Sequence, residues 1–582
     1  MNKEFVGLDA RFAKGFARCV VFLCLLFLPL APFHAARKAG DSKETSIPIP
    51  QGAKARGSYY FSNIKPRILD LIENGSPRSL QVAVRLLHRS DPAAYSDSEK
   101  TLLKICGLLM EFCWPSYMAG SWDIPEMRGS NSYTNVIFNV RNGLYEAPAG
   151  DDFIANLLPC VCLFSAPNET ACYASMEAAL EKALKLRGDS TLANYMMGIL
   201  LNRQGKNARA ASCLRKASAG DSSNKEILFL QMRVCSSLGK YEETLKIGER
   251  LLLSEPKNVE ALKLCCDAYY AKGDLAKAGD LAAQILMLDG RSYGYMLIRS
   301  EASMAEGDYV KASTMLDAYS RSGNRSKEYF FLRSRLQCEW NKSPAAAAET
   351  LGQAMLNYPD DIQLMLSAAK VASEGNMKVA GKTALEFAHQ VLKKESGNRE
   401  AKKVCIVELS KDGDYEESYK LSSSLVKEDG SPSLLHSHIE TCLALKKYDE
   451  ARELATSLYN KDRNDIQAQK SYINVLVSTG IKREAQDMIS ALLPDADSSM
   501  KSFLYYEQSF LATDERSAVA LLRSSLTQNP RNTDSLTRLY EIYYGQQDWK
   551  RAQYYLKQVV ALNPTNKKAL AMSQKLDKII NN

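Results

Sequence analysis

The sequence predicts an all-α protein, a solenoid of antiparallel helix pairs, and three observations lead to this fold class. A glycine often precedes a small residue by five positions, and apolar residues recur at three- and four-residue spacing on both sides of that glycine. A sequence period of 33 to 37 residues is typical of stacked supersecondary units. The small residues themselves, which we call the small-residue ladder, stand 33 to 37 positions apart at Ala210, Thr244, Ala278, Ala312, Ala347, Ala384, Ser418, Ala451, Ala485, Ala518 and Ala552.

Each unit is predicted to consist of a helix, a glycine turn and a second, antiparallel helix. In the unit that begins near residue 225, Leu228, Met232 and Cys235 mark one face of the first helix. Glycine suits the turn because it adopts the left-handed backbone conformation at little cost. The small residue falls early in the second helix, where a close crossing of the two helices excludes larger side chains. Proline is expected to end the second helix in several units, at Pro256, Pro359, Pro530 and Pro564.

A 34-residue period with a small residue, an aromatic residue after the turn and a late proline resembles the tetratricopeptide repeat. The last unit, with Asp548-Trp549 at the turn, Ala552 in the ladder and Pro564 at the end, shows the resemblance best. The resemblance implies a right-handed superhelix of antiparallel helix pairs. We expect about eleven repeats over residues 191–566, with a degenerate or partial repeat at residues 151–190 before them and a capping helix at residues 567–582. The predicted repeats begin near residues 191, 225, 259, 293, 328, 362, 399, 432, 466, 499 and 533.

The turns of two repeats, those that begin near residues 328 and 362, depart from the pattern. Asn341 to Pro344 replace the glycine turn in the first of them, and a few extra residues surround Gly375 in the second. The ladder spacing widens to 37 residues at the same place. The sequence therefore predicts a joint between two arms of the solenoid near residues 328–398.

Residues 1–36 have the layout of a secretory signal peptide. A basic start is followed by an uncharged apolar stretch of 15 residues and by the small residues Ala35 and Ala36. An uncleaved signal anchor is the alternative, because 18 uncharged residues separate Arg18 from Arg37. We therefore expect export to the periplasm or cell envelope of a bacterium. In the alternative, residues 19–36 anchor the chain in the inner membrane, which would be its only membrane contact.

Residues 37–56 are predicted to form a flexible linker, because they are rich in lysine, glycine, serine and proline. Residues 57–150 regain the helical period but not the 34-residue spacing, so we expect a divergent helical region with a loop at 114–150. Two interpretations of this region remain open. It is either a helical N-terminal cap that covers the exposed end of the solenoid, or the surface that recognises a specific partner.

The charge and cysteine content exclude some classes of function. The net charge is +8, but the charges of both signs are interspersed without a dense basic stripe, so nucleic acid is not an expected partner. Six of the 14 cysteines fall at packing positions of the repeats, where a thiol acts as a small hydrophobe. Cys160 and Cys162, with Cys172 nearby, form the one cluster that could make a disulfide or bind a metal.

The sequence predicts no catalytic site. It contains no phosphate-binding glycine loop and no HExxH pair, and we predict no catalytic residue, cofactor or metal site. His436 and His438 are two positions apart on a predicted helix and therefore point to different faces. We expect a non-enzymatic protein without a small-molecule substrate, and an enzyme hidden in residues 57–190 remains the alternative.

The resemblance places a binding groove on the second, fifth, ninth and twelfth residues of each first helix. Aromatic residues and charges of both signs occur there, which suits a protein or peptide partner. Lys470, Asn474 and Arg538 also fit three of the five places of a clamp for a C-terminal carboxylate, whereas Leu504 and Asp534 do not. The candidate groove residues are Tyr195, Phe229, Arg233, Lys263, Asp267, Tyr270, Glu301, Lys470, Asn474, Arg538, Glu541 and Tyr544.

The sequence therefore predicts an interaction scaffold of the bacterial cell envelope that binds partner proteins or peptides along its groove. The alternative is an adaptor or non-catalytic subunit of an envelope enzyme or assembly complex.

Overall fold

The computed structural model describes residues 58–88, 95–118, 132–141, 152–164 and 169–581. Within these residues 29 α-helices follow one another along the chain and no strand occurs, which confirms the predicted all-α fold class. The chain divides into two compact units, residues 1–308 and residues 309–582. This boundary lies before residues 328–398, where the sequence predicts the joint. The predicted signal peptide and linker lie outside the described residues.

The first unit begins with six helices that precede the regular repeats. They are α1 (Ser58–Asn74), α2 (Pro77–Leu87), α3 (Asp97–Cys113), α4 (Ser132–Arg141), α5 (Phe153–Leu163) and α6 (Tyr173–Leu186). Helix pairs follow as α7 (Thr191–Arg203), α8 (Asn207–Gly220), α9 (Lys225–Ser237), α10 (Tyr241–Ser254), α11 (Val259–Lys272), α12 (Leu275–Leu288) and α13 (Gly294–Ala305). One hydrophobic core runs from Ile68 in α1 to Val234 in α9, so the N-terminal region packs as a continuation of the repeats.

The predicted loop at residues 114–150 needs a correction, because α4 occupies part of it. Tyr133, Val136, Ile137 and Val140 recur at helical spacing, and Ile137 and Val140 are buried in the common core. The glycine, proline and asparagine residues around this short segment obscure its period in the sequence. A short 3-10 helix, Pro115–Tyr117, also lies within the predicted loop.

The second unit contains the remaining helices. They are α14 (Tyr309–Arg321), α15 (Lys327–Glu339), α16 (Pro344–Asn357), α17 (Ile362–Gly375), α18 (Ala384–Lys394), α19 (Arg399–Asp412), α20 (Tyr415–Leu425), α21 (Pro432–Ala444), α22 (Tyr448–Lys461), α23 (Ile466–Ser478), α24 (Lys482–Leu492), α25 (Ser498–Leu511), α26 (Glu515–Gln528), α27 (Thr533–Gly545), α28 (Trp549–Leu562) and α29 (Lys567–Asn581). Each of the eleven predicted repeat starts lies within one residue of the start of a helix. The last helix coincides with the predicted capping helix.

Short polar side chains begin most of the first helices. The side chains of Asn224, Asn258 and Asn532, for example, each accept a hydrogen bond from a backbone N–H in the first turn of α9, α11 and α27. Such a cap satisfies a donor that has no partner within the helix. The second helices α10, α16, α26 and α28 each end two residues before the prolines at 256, 359, 530 and 564. These termini confirm the predicted stops.

The turns and the ladder have the predicted roles. The glycines at 205, 239, 273, 307, 413 and 480 all have positive φ, and Lys446 and Gln547 adopt the same conformation in two repeats that lack the glycine. All eleven ladder residues are buried. The wide ladder step comes from the α17–α18 connection, which contains three residues with positive φ, Asn376, Ala380 and Gly381, and an isolated bridge between Val379 and Lys382.

Within the second unit, the start of α29 contacts the end of α19, 155 residues earlier in the chain. The Lys567 ammonium lies 3.1 Å from the Asp412 carboxylate. The Asn566 amide donates to the backbone oxygen of Lys411 at 3.2 Å. The five helix pairs from α19 to α28 therefore bring the start of α29 back to the end of α19.

None of the described helices combines the length and the apolar character that a membrane crossing requires.

Candidate functional site

The candidate site is the first-helix face, which we define as the second, fifth, ninth and twelfth residues of the first helices together with the side chains that contact them. Successive first helices touch through these residues. In the first unit Tyr270 Oη on α11 donates to Glu301 Oε2 on α13 at 2.5 Å. In the second unit His436 Nδ1 on α21 lies 2.7 Å from Ser471 Oγ on α23. Side chains of neighbouring repeats thus contact one another on this face in both units.

Tyr195 lies on this face but is not available to a partner, which corrects its selection as a groove contact. Its ring stacks on Trp114 with the centroids 4.8 Å apart, and both side chains are buried. Trp114 Nε1 donates to the Gly75 backbone oxygen at 2.8 Å. Burial raises the pKa of Tyr195. The N-terminal region therefore covers the first repeat, as the cap interpretation expects.

The 3-10 helix Pro115–Tyr117, which directly follows Trp114, contacts the start of α9. The Ser116 N–H donates to Glu226 Oε1 at 3.2 Å, and the Lys225 N–H donates to Tyr117 Oη at 3.1 Å. Glu226 occupies the second position of its first helix. In the first unit, the part of the first-helix face that a partner can reach therefore begins after Glu226.

Beyond the cap, the first-unit face is polar and aromatic. Arg233 is exposed and Phe229 is half-buried against the core of its repeat. Lys263 pairs with the carboxylates of Glu260 at 3.1 Å and Asp289 at 3.8 Å. Burial raises the pKa of Asp267 to about 7, although the Tyr295 hydroxyl, 3.4 Å away, donates to it and lowers the pKa.

The second-unit face carries a cluster of carboxylates, which we call the acidic cluster: Glu440, Glu507 and Asp534. They come from α21, α25 and α27, and the charge of Glu440 acts on both Glu507 and Asp534. Glu507 is almost fully buried, and this burial raises its pKa to about 8. The negative charges of Asp534 and Glu440 raise the pKa further, whereas Arg538 lowers it.

Two cations lie over aromatic rings beside the acidic cluster. The Arg538 guanidinium is 3.5 Å from the centroid of Phe510, and the Lys470 ammonium is 5.5 Å from that of Phe503. Both contacts are of the cation–π type. Burial lowers the pKa of Lys470, while the charges of Asp497 and Glu440 oppose this effect.

The structure does not complete the carboxylate clamp. Leu504 is buried in the core of its repeat, so no donor occupies the sixth position there. Asp534 places a negative charge where the clamp requires lysine. Glu440 adds further negative charge close to Lys470, and a C-terminal carboxylate would be repelled.

The remaining candidates are spread along the same face. Asn474 is half-buried and accepts from Ser478 Oγ at 3.2 Å. Glu541 is exposed. Tyr544 is half-buried and meets Trp549 edge-on at 5.3 Å between ring centroids. These residues leave a polar and aromatic surface beside the acidic cluster.

Sequence reasoning missed several residues of this face that its own positional rule selects. Phe503 is a fifth residue, Glu440 and Glu507 are ninth residues, and Phe510 is a twelfth residue of their first helices. Applying the rule to every repeat would have found them. Their proximity in space would not have followed, because it depends on how the repeats pack on one another.

The pH dependence of stability tests the burial of Glu507. Its folded-state pKa of about 8 lies above the value in an unfolded chain, so the native protein keeps a proton that the unfolded chain releases. The contribution of Glu507 to the free energy of unfolding is fully present at acid pH. It decreases as the pH rises to 8, by at most about 1.4 kcal/mol per pH unit. We expect the melting temperature of Glu507→Gln to rise relative to wild type between pH 5 and pH 8.

The control for this experiment is Glu541→Gln, which removes an exposed carboxylate from the same face. Its melting temperature should keep a constant difference from wild type over the same range. A constant difference for Glu507→Gln as well would contradict a raised pKa.

The structure is similar to several solved repeat proteins. A tetratricopeptide repeat protein from Parabacteroides merdae shares 17% identity, with a TM-score of 0.33 over 44% of this chain and 99% of that chain. PilF of Pseudomonas aeruginosa shares 18% identity, with a TM-score of 0.30 over 38% of this chain and 97% of that chain. YrrB, described as a TPR protein with an unusual peptide-binding site, shares 17% identity, with a TM-score of 0.28 over 33% and 91% of the two chains.

Structural similarity at these TM-scores does not indicate a function. No model of a protein family matches the sequence, and no curated protein matches it. The helix pairs follow the 34-residue ladder, as the resemblance to the tetratricopeptide repeat implies.

Proposed function

We propose that this chain is a non-enzymatic scaffold of the bacterial cell envelope that holds a segment of a partner protein on its first-helix face. The observation that carries the proposal is the acidic cluster, which lies beside two aromatic rings on the second-unit face. Such a surface offers charge, hydrogen-bond acceptors and apolar area together, as protein-binding surfaces do.

The charge of the cluster selects the kind of segment. The charges of Asp534 and Glu440 raise the pKa of Glu507, and that of Glu440 raises the pKa of Asp534, so a cation that enters between these carboxylates is attracted to them. Phe503 and Phe510 offer ring faces and apolar contact beside these carboxylates. We therefore expect the partner to present lysine or arginine next to apolar side chains in an extended stretch.

The envelope location is supported by the sequence of residues 1–36, with its basic start, apolar stretch and small residues. Cleavage releases the scaffold into the periplasm in this proposal.

A photo-crosslinking experiment in whole cells tests the binding face. A benzophenone amino acid placed at Tyr544 reports on the first-helix face, and the same residue at Tyr554 reports on the second helix of the same repeat, where the tyrosine is 63% exposed. The two positions exchange one aromatic side chain for another in neighbouring helices. We expect a discrete crosslinked partner from position 544 and little or none from position 554.

Variants that remove charge from the acidic cluster test its role in the same experiment. Glu440→Gln combined with Asp534→Asn should lower the yield at position 544 several-fold. The control, Glu416→Gln with Glu453→Gln, removes two exposed carboxylates from second helices and changes the net charge equally. Equal yields in the two double variants would contradict a basic partner segment.

A further inference from the structure

A second cluster of polar side chains lies away from the first-helix face, between α20, α21 and α22. His438 and Cys442 stand one helical turn apart on α21, and Glu450 projects from α22. His438 Nε2 lies 3.7 Å from Cys442 Sγ and 3.3 Å from Glu450 Oε1. Within the described residues, no other group of three or more histidine, cysteine and acidic side chains brings its ligand atoms within 4.8 Å of one another.

These distances match the edges of a metal coordination tetrahedron. Zinc binds nitrogen at about 2.0–2.1 Å, carboxylate oxygen at about 2.0–2.2 Å and sulfur at about 2.3 Å, so the nitrogen–sulfur and nitrogen–oxygen edges measure roughly 3.6 and 3.4 Å. The observed 3.7 and 3.3 Å differ from these values by little. A histidine, a thiolate and a carboxylate are also ligands that zinc accepts.

Residues of the neighbouring helix α20 orient two of the three side chains, His438 and Glu450. Ser422 Oγ lies 2.7 Å from His438 Nδ1, and its hydroxyl donates to the Tyr419 backbone oxygen at 3.3 Å. With its proton given to that oxygen, Ser422 accepts from Nδ1–H, which leaves the lone pair of His438 on Nε2. Tyr419 Oη donates to Glu450 Oε2 at 2.8 Å. Side chains that bind a metal typically also form hydrogen bonds of this kind with neighbouring residues.

The arrangement fits a metal better than a thiol nucleophile. In a nucleophilic pair the histidine contacts the thiol through one nitrogen and an acid through the other. Here Cys442 and Glu450 both approach Nε2, while Ser422 holds Nδ1. Cys442 is also fully buried, whereas reactive thiols are typically partly exposed.

We propose that His438 Nε2, Cys442 Sγ and Glu450 bind one Zn²⁺ ion, with the fourth position open toward solvent on the Glu450 side. The Glu450 side chain is 39% exposed, which provides an entry path, while His438 and Cys442 are buried. Binding replaces the thiol proton of Cys442 with the metal and releases that proton to solvent. The site would clamp α21 to α22, because its ligands come from both helices.

Metal binding by the full-length chain tests this inference, with Zn²⁺ and Co²⁺ as the probes. After dialysis against a weak chelator we expect one equivalent of zinc that depends on Cys442. With cobalt we expect a thiolate-to-metal charge-transfer band that disappears in Cys442→Ser. Glu450→Gln, at a partly exposed position, should weaken zinc binding without unfolding the chain, which circular dichroism checks.

Ser422→Ala separates a positioning role from a ligand role. It should weaken zinc binding by about 10–100-fold and leave the thiolate band of the cobalt form in place. Two control variants should leave both readouts unchanged. His436→Gln removes a histidine–glutamate pair without a thiol, and Cys405→Ser removes a buried thiol outside the cluster.

Three results would overturn the proposal. They are the absence of stoichiometric zinc in the wild-type chain, a cobalt spectrum without a thiolate band, or equal losses in Cys442→Ser and Cys405→Ser. In the first case the cluster is a metal-free hydrogen-bond network in which His438 donates to Glu450.

Discussion

Replacing Trp114 with alanine is expected to destabilise the N-terminal helices by about 3–5 kcal/mol, the usual cost of truncating a buried tryptophan. Trp114 is fully buried, stacks on Tyr195 at 4.8 Å and donates to the Gly75 backbone oxygen at 2.8 Å. The truncation removes the ring and leaves that oxygen without its donor. Because repeat arrays unfold locally, native-state hydrogen exchange in α1–α7 is the appropriate measurement.

Trp340→Ala is the matched control for this prediction. Trp340 is 43% exposed, so its removal should change the opening free energy of neighbouring helices by less than about 1 kcal/mol. Similar effects of the two variants would show that Trp114 does not join the N-terminal region to the repeats.

Enlarging a ladder residue should also destabilise the fold, and Ala278→Leu is expected to cost roughly 1–3 kcal/mol or more. Ala278 is fully buried in α12, within a cluster that includes Leu262 and Cys266. Cys266 Sγ on α11 lies 3.2 Å from the Ala278 backbone oxygen, so the two helices cross closely at this position. Thermal unfolding measures the effect.

The control uses the same substitution in the same helix. Ala276 is exposed near the start of α12, so Ala276→Leu should change stability by no more than about 0.5 kcal/mol. Ala278→Ser should be tolerated better than Ala278→Leu, because serine occupies the ladder at Ser418. If leucine at position 278 had no more effect than leucine at position 276, the ladder would not mark close helix crossings.

The repeat architecture could be predicted from the sequence because its determinants are local and recurrent. The turn at Gly239, the ladder residue Thr244 and the stop before Pro256 lie within one unit and act through backbone conformation and nearest-neighbour packing. The same pattern returns in successive units, so an irregular unit is recognised by its neighbours.

The N-terminal region could not be predicted to the same depth, because its determinants are long-range. Trp114 reaches Gly75 across 39 positions of the sequence, and neither residue signals the contact. The helix that contains Ile137 is short and lies among turn-forming residues, so its period extends over too few residues to be recognised.

The candidate site was predictable only as a list of positions. The positional rule selects Glu541 and Tyr544, but the approach of the three carboxylates of the acidic cluster depends on how the repeats pack on one another. The proposed zinc site shows the same limit. The spacing of His438 and Cys442 suits one helix face, whereas the approach of Glu450 depends on how α22 packs on α21.

The ratio of crosslinking yields at positions 544 and 554 tests the central claim most directly. Both positions belong to the last repeat, one on the first-helix face and one on the second helix, so the ratio isolates the face from the fold. A scaffold that binds its partner on the first-helix face predicts a yield many times higher at position 544. An equal or higher yield at position 554 would contradict the claim.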